Sequence, residues 1–229
     1  MKKNSFDVVV VGGGMVGLSL ALGLARAGVP VALIERARLS DMAAARFDGR
    51  GSAVAAGSQR ILDGLGLWEG VADHAEPILE IRVADGMSPL FLHYDHAEIS
   101  DGPLGWIVEN AVTRRALAAA AEKSSLQVFD GTELADCHFG EDAAMLDLAD
   151  GQTVTARLVV AADGRDSPLR AAAGIEEVRW NYPQTGIVCA VHHEVPHRGI
   201  AQEHFLPAGP FAILPMTENR SSIVWTERH

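Results

Sequence analysis

Cysteine is scarce in this 229-residue chain: Cys137 and Cys189 are the only two, and neither belongs to a Cys-x-x-Cys pair. This excludes a disulfide framework and points to a reducing cytoplasm. Positive charge is also in short supply. Nineteen Lys and Arg stand against 30 Asp and Glu, a formal net charge of −11. Neither nucleic acid nor anionic lipid is offered a general basic surface. No low-complexity tract and no repeat of solenoid length occurs. What remains is ordinary for a globular protein, 48% hydrophobic and 21% charged, in a chain long enough for one large domain or two small ones.

Charge is absent altogether from Val8 to Ala25, after Lys2 and Lys3. Such a run resembles a leader or a membrane span. Asp7 interrupts its basic end, however, and its five glycines would each weaken a spanning helix by up to ~1 kcal/mol relative to Ala. The run is better read as an apolar strand (Phe6 to Val11), the loop Gly12-x-Gly14-x-x-Gly17, and an apolar helix (Met15 to Ala27). A second strand closes at Glu35. A lone Gly-x-Gly-x-x-Gly says little, but in this strand–loop–helix–strand order it is a βαβ dinucleotide-binding unit. Gly12 permits the turn, Gly14 lets the backbone approach a pyrophosphate, and Gly17 lets the helix pack closely on the strand. The amino end of that helix holds the phosphate charge. Glu35 follows Gly12 by about the 20 residues expected of a carboxylate that binds the adenosine ribose. Arg36, next to it, belongs to the same candidate site.

Further along, Ser52 to Leu65 is predicted as a helix stopped by Gly66, and Asn110 to Lys123 as an Ala-rich helix. Ile81–Ala84 and Leu90–Tyr94 form a predicted hairpin through Asp85-Gly86. Cys137 to Val160 reads as a meander. It feeds the apolar strand Leu158–Ala162, which stops at Asp163-Gly164. Ile187–Val191 and Ser222–Thr226 are strand-like, and a chain that ends soon after such a strand suggests a fragment, since sheet edges need partners.

Nine histidines invite a metal reading. His192 and His193 are adjacent, so in a strand they point to opposite faces. His93 and His96 flank Asp95, but no Cys or Glu spacing completes a zinc set, and no metal is expected. Ser58 and Ser167 lack the Gly-x-Ser-x-Gly elbow of a hydrolase.

Asp163-Gly164-x-x-Ser167-x-x-Arg170, taken with the first motif, resembles the class A flavoprotein monooxygenases, relatives of p-hydroxybenzoate hydroxylase. In that family this segment lies near the FAD pyrophosphate and is implicated in NAD(P)H use. Asp48-x-Arg50-x-x-Ala53-Val54-x-x-x-Ser58 resembles a stretch of the ubiquinone-biosynthesis hydroxylases within the class, with Val54 in place of Leu. Gly209-Pro210-Phe211-Ala212-Ile213-Leu214-Pro215 and Val224-Trp225 resemble two more of their segments. The likeness therefore covers essentially the whole chain. The family's second flavin motif, a Gly-Asp followed by Ala-Ala-His and Pro…Gly-Gln-Gly, does not occur. By resemblance it belongs to a further portion of about 150 residues beyond His229, which would complete a normal-sized domain pair.

The resemblance implies an α/β fold, a Rossmann-like βαβ FAD-binding domain of the p-hydroxybenzoate hydroxylase type with a β-sheet substrate domain. The expected division is 1–77 and 104–178 for the FAD-binding domain, and 78–103 and 179–229 for an incomplete substrate domain. Arg50, on a polar, Gly-flanked approach to a helix, is a candidate for a bidentate flavin contact. Arg114 resembles the Arg of the family's R-x-x-L helix, with Arg115, offset by one, as the alternative. Gly12, Gly14, Gly17, Glu35, Arg36, Arg50, Arg114, Asp163 and Gly164 form the expected cofactor site.

In such an enzyme NAD(P)H reduces bound FAD, and O₂ then supplies one oxygen atom to an electron-rich aromatic ring. Because the cofactor carries the hard chemistry, the absence of an evident acid–base pair does not count against an enzyme. The implied substrate is a prenylated phenol or quinol precursor. It would be met at the inner-membrane surface by a cytoplasmic protein docking peripherally or within a biosynthetic complex. A flavin- or nucleotide-binding module without hydroxylase activity, and another NAD(P)-linked oxidoreductase built on the same βαβ unit, are the alternatives.

Overall fold

The computed structural model describes residues 4–86, 88–99 and 101–229. The described residues form fifteen strands and seven helices. The first half contains β1 (Ser5–Val11), α1 (Met15–Arg26), β2 (Val31–Glu35), α2 (Leu39–Ala43), β3 (Gly51–Ala55), α3 (Ala56–Gly64), α4 (Glu69–Ala72), β4 (Ala75–Ile78), β5 (Glu80–Asp85), β6 (Phe91–Asp95) and α5 (His96–Ile99). Then come β7 (Gly105–Glu109), α6 (Asn110–Glu122), β8 (Gln127–Asp130), β9 (Leu134–Phe139), β10 (Ala144–Leu148), β11 (Thr153–Ala161) and α7 (Pro168–Ala172). The last strands are β12 (Gln184–His192), β13 (Ile200–Leu206), β14 (Gly209–Met216) and β15 (Arg220–Arg228). No helix among the described residues is long and apolar enough to cross a membrane.

Two compact units result. The first takes the chain up to Ala45 and Arg114–Arg179. Its sheet runs β8-β2-β1-β11-β10-β9. The first four of these strands pair in parallel, while β11, β10 and β9 form an antiparallel meander. The central strands are apolar on both faces because both are covered: Val9, Val10, Leu33 and Ile34 are at most 1% exposed. Full burial of each such side chain contributes about 1.5–3 kcal/mol. Helix α1 buries Gly17, Leu18, Ala21, Leu22 and Ala25 as one stripe.

The second unit takes Arg46–Thr113 and Trp180–His229. A six-stranded sheet, β12-β15-β14-β13-β5-β6, accompanies a three-stranded one, β3-β7-β4. Ile78, Ile107, Ala201 and Met216 make its core. The hairpin of β5 and β6 forms in the register Val83↔Leu92, in a different sheet from β1. The predicted helix from Ser52 is corrected in part. Gly51–Ala55 is a strand paired antiparallel to Gly105–Glu109, and helix α3 begins only at Ala56. The same pairing groups residues 46–77 and 104–113 with the second unit, whereas the expected division places them with the FAD-binding domain.

One ion pair fastens the two sheets of this unit. Arg220 Nη2 lies 2.7 Å from Glu109 Oε1, with side chains 20% and 14% exposed. Its Nε donates to the Thr217 carbonyl at 3.2 Å, and its guanidinium sits 5.4 Å from the Phe47 ring centroid. Arg220→Ala is expected to lower stability by ~2–3 kcal/mol, because Glu109 keeps its charge in a half-dry site without its partner. Urea unfolding measures this, and a loss under ~0.5 kcal/mol, typical of exposed pairs, would show the pair to be ornamental.

Candidate functional site

Because β8, β2, β1 and β11 run in parallel, their carboxyl ends open at one side of the first sheet. Open α/β sheets bind ligands there. Strand β1 delivers Gly12-Gly13-Gly14, β2 delivers Glu35, β11 leads to Asp163-Gly164, and β8 leads to Thr132. With Arg36, Ala37, Met42, Arg114, Glu133, Leu134 and Pro168 among others they line a cleft of about 490 Å³. That volume falls within the range of small-molecule sites.

Each glycine of the loop has a separate geometric reason. Gly12 has φ +102°, and a Cβ there would lie 2.2 Å from the Ala162 carbonyl oxygen. Gly17, one turn into α1, would place a Cβ 1.9 Å from the Gly12 carbonyl oxygen. Gly14 differs: nothing lies within 4 Å of where its Cβ would be. It is the N-cap of α1, has no side-chain capping bond, and the first turn contains no acidic residue. No side chain of the first turn therefore supplies an anion to the amino end of α1, whose N-cap Gly14 lines the cleft.

Glu35 does more than the sequence indicates. Its carboxylate accepts a hydrogen bond from Gly13 N–H and another from Ala37 N–H at 2.8 Å. It thus locks the glycine loop to the segment after β2, and each oxygen keeps a second lone pair. Gly13, absent from the sequence-derived set, is needed here because a Cβ would come within 2.9 Å of the Glu35 side chain.

Asp163 and Gly164 (φ +95°) form the turn after β11. Asp163 Oδ2 accepts from Leu169 N–H at 3.2 Å, and Ser167 Oγ accepts from Arg170 N–H at 3.0 Å, with Pro168 opening α7. The motif thus builds a capped helix start. Asp163 Oδ1 is buried without a hydrogen-bond partner, and so is Thr132 Oγ1. Both belong to cleft-lining residues, although the two oxygens themselves are closed to solvent. Beside the turn, Arg165 foremost and then Arg179 hold the exposed Asp166 carboxyl below its ordinary pKa.

Arg114 lines the cleft, whereas Arg115 donates to the Ala45 carbonyl at 2.6 Å. Arg50 belongs to the other compact unit, where Asp48 Oδ2 holds its Nη2 at 2.6 Å. Among the described residues, Glu80, His93 and Asp95 come close enough to share a metal ion. Glu80 is the cross-strand partner of Asp95, a relation that spacing along the chain does not reveal. Arg82 Nη2 already sits 2.6 Å from Glu80 Oε2, and its fixed positive charge opposes a cation there.

The FAD binding domain family matches residues 5–227. The chain is 51% identical over 223 residues to the ubiquinone hydroxylase UbiL of Rhodospirillum rubrum, covering 97% of this chain and 52% of the relative. It is 36% identical to the 3-demethoxyubiquinol 3-hydroxylase of Escherichia coli, covering 98% of this chain and 58% of the relative. The structure of PqsL, a probable FAD-dependent monooxygenase from Pseudomonas aeruginosa, superposes with a TM-score of 0.83 at 21% identity. That match covers 98% of this chain and 61% of PqsL, and it establishes the fold. The chain spans about half the length of the curated relatives it matches.

Proposed function

Because the chain belongs to the FAD binding domain family, we propose that it is the FAD-holding portion of a monooxygenase that hydroxylates an aromatic ring of a prenylated quinone precursor, with NAD(P)H and O₂ as co-substrates. The observation that carries the reading is the cleft at the carboxyl ends of four parallel strands. It combines an uncapped helix amino end, an open Gly14 and a fixed Glu35. The identity to ubiquinone hydroxylases supplies the substrate class.

The residues divide the work by chemistry. The α1 amino end and the Gly12–Gly14 backbone bind the pyrophosphate, with the Arg114 cation on the cleft wall. Glu35 accepts from the ribose hydroxyls, and Asp163 and Gly164 form part of the wall beside the bound cofactor. Bound FAD supplies hydride acceptance and oxygen activation; the protein orients it and excludes water. The functional division proposed is 1–77 with 104–178 for the cofactor and 78–103 with 179–229 for the substrate, Arg50 contributing a cofactor contact. A prenylated precursor resides in the membrane, so the reading carries with it a cytoplasmic protein in peripheral contact with the inner membrane or with neighbouring biosynthetic enzymes.

The test is to titrate the protein with FAD, ADP and FMN, then assay NAD(P)H-dependent transfer of labelled oxygen from O₂ to a prenylated phenol. FAD and ADP should bind and FMN, which lacks the adenosine half, should not. Flavin binding without oxygen transfer would favour a binding module, and NAD(P)H oxidation of a non-phenolic partner another oxidoreductase. Glu35→Gln should weaken ADP about tenfold, because an amide turns an N–H₂ toward Gly13 or Ala37 and loses the charge-assisted ribose bond. Unchanged affinity would remove Glu35 from the site.

A further inference from the structure

We propose that β6 pairs edge to edge with β6 of a second copy of this chain, antiparallel and about a two-fold axis at Tyr94. Strand β6 ends the six-stranded sheet and, among the described residues, pairs with β5 alone. Edge strands that stay unpaired are usually guarded by Lys, Pro or a covering element. Phe91-Leu92-His93-Tyr94-Asp95 contains neither residue, and Leu90, Phe91, Leu92, Tyr94 and Ile99 are 46% to 80% exposed.

The pleat decides which backbone groups this edge offers. His96 N–H donates to the Leu79 carbonyl at 2.9 Å. Tyr94 and Leu92, at alternate positions before it, therefore also turn their N–H and C=O groups toward β5. Glu80, opposite Asp95, accordingly sends its N–H the other way, to the Gly199 carbonyl at 3.3 Å. The backbone groups of Phe91, His93 and Asp95 thus point out of the sheet. An antiparallel copy bonds through these, and a two-fold axis makes the contact self-complementary.

Charge selects the register. Glu80 stands directly opposite Asp95, and Arg82 opposite His93, all four side chains on one face. Opposed carboxylates destabilise a strand pair. With the axis at Tyr94, His93 of each copy becomes the hydrogen-bonded partner of Asp95 of the other. Each row across the joined sheets then reads Glu80 and Asp95, followed by His93 and Arg82 of the second copy. The two carboxylates so meet an imidazole and a guanidinium. An axis at His93 would instead set imidazole against imidazole and Asp95 against Phe91. On the opposite face Ile81, paired with Tyr94, extends an apolar row through both tyrosines into the second copy.

Sedimentation equilibrium of the 229-residue protein should show a monomer–dimer equilibrium. Tyr94→Lys should weaken the dimer at least about tenfold, because two ammonium groups meet at the axis. His93→Asp, which sets carboxylate against carboxylate, should weaken it similarly, and adding Asp95→His should restore it. Thermal unfolding of each variant at high dilution reports whether the β5–β6 hairpin is intact. Cysteine variants then read the register after the exposed Cys189 is replaced by Ser. At the axis, Tyr94→Cys places the two thiols on Cα atoms about 4.5 Å apart, within disulfide reach, so diamide should join the dimer covalently. His93→Cys sets its thiols diagonally, with Cα atoms about 7–8 Å apart, and should crosslink at least about tenfold more slowly.

A protein monomeric at every concentration would overturn the proposal. So would a dimer indifferent to Tyr94→Lys, or one that crosslinks through His93→Cys and not through Tyr94→Cys. A monomer that floats with phosphatidylcholine vesicles, and loses them on Tyr94→Lys, would also overturn it and give this edge to lipid.

Discussion

Gly14→Val is expected to leave the protein folded while lowering its affinity for FAD or ADP at least a hundredfold. Gly14 has φ −63° and ψ 179°, extended backbone that any residue adopts, and no heavy atom lies within 4 Å of its ideal Cβ. A valine therefore meets no protein atom there, and replacing glycine by a poorer N-cap residue costs ~1 kcal/mol. The space it fills is on the cleft side, where Gly14 is part of the wall. A pyrophosphate drawn to the α1 amino end must pass within contact distance of this backbone. A branched side chain holds it off, and losing ~3 kcal/mol of phosphate contacts corresponds to about a hundredfold. Equilibrium titration paired with thermal unfolding is the measurement. Wild-type affinity in a folded variant would show that the phosphate does not lie over the loop, and a variant that fails to fold would contradict the open space seen at Gly14.

The contrast between the two halves of the chain shows what kind of information a sequence carries. The β1–α1–β2 unit is legible because local rules agree: an apolar strand, a glycine loop whose spacing has one physical use, an apolar helix and a terminal carboxylate. The β5–β6 hairpin is legible for the same reason, through Asp85-Gly86. The three-stranded sheet is not. Gly51–Ala55 consists of small residues that suit strand and helix alike, and its partner Gly105–Glu109 lies far along the chain, so only tertiary pairing decides. The parallel pairing of β13 with β5, Ile200 opposite Glu80, is equally invisible locally.

Site residues divide along the same line. Gly12, Gly14, Glu35, Asp163 and Gly164 were readable because each sits in a motif with a mechanism, and all of them reach one cleft. Gly13 and Thr132 were not. The need for Gly13 arises from Glu35, a residue on another strand, and a threonine after Asp-Gly reads as turn chemistry until its burial is known. At Arg50 the polar, Gly-flanked segment suggests an anion contact; what the sequence does not show is that Asp48, two residues earlier, pairs its carboxylate with the same guanidinium.

Gly17→Ala should destabilise the protein by ~3 kcal/mol or more, against a helix propensity that by itself favours alanine by ~1 kcal/mol. The added Cβ would stand 1.9 Å from the Gly12 carbonyl oxygen and 3.0 Å from the Ala162 Cβ. Neither neighbour can yield cheaply. Gly12 is held at φ +102°, its N–H donates to the Ile34 carbonyl at 2.9 Å, and Ala162 N–H donates to the Val11 carbonyl at 2.8 Å. The helix itself must therefore lift from β1, exposing the stripe that includes Leu18 and Ala21, both 0% exposed in the native packing. That movement also withdraws the α1 amino end from the phosphate, so stability and nucleotide affinity should fall together. Gly57→Ala is the internal control. It lies in α3 with nothing within 4 Å of its Cβ position, and should gain a few tenths to ~1 kcal/mol. Urea midpoints of the two variants should thus move in opposite directions from the wild type. A shift of the same sign in both would mean that the contact between Gly17 and Gly12 does not set the seat of the helix.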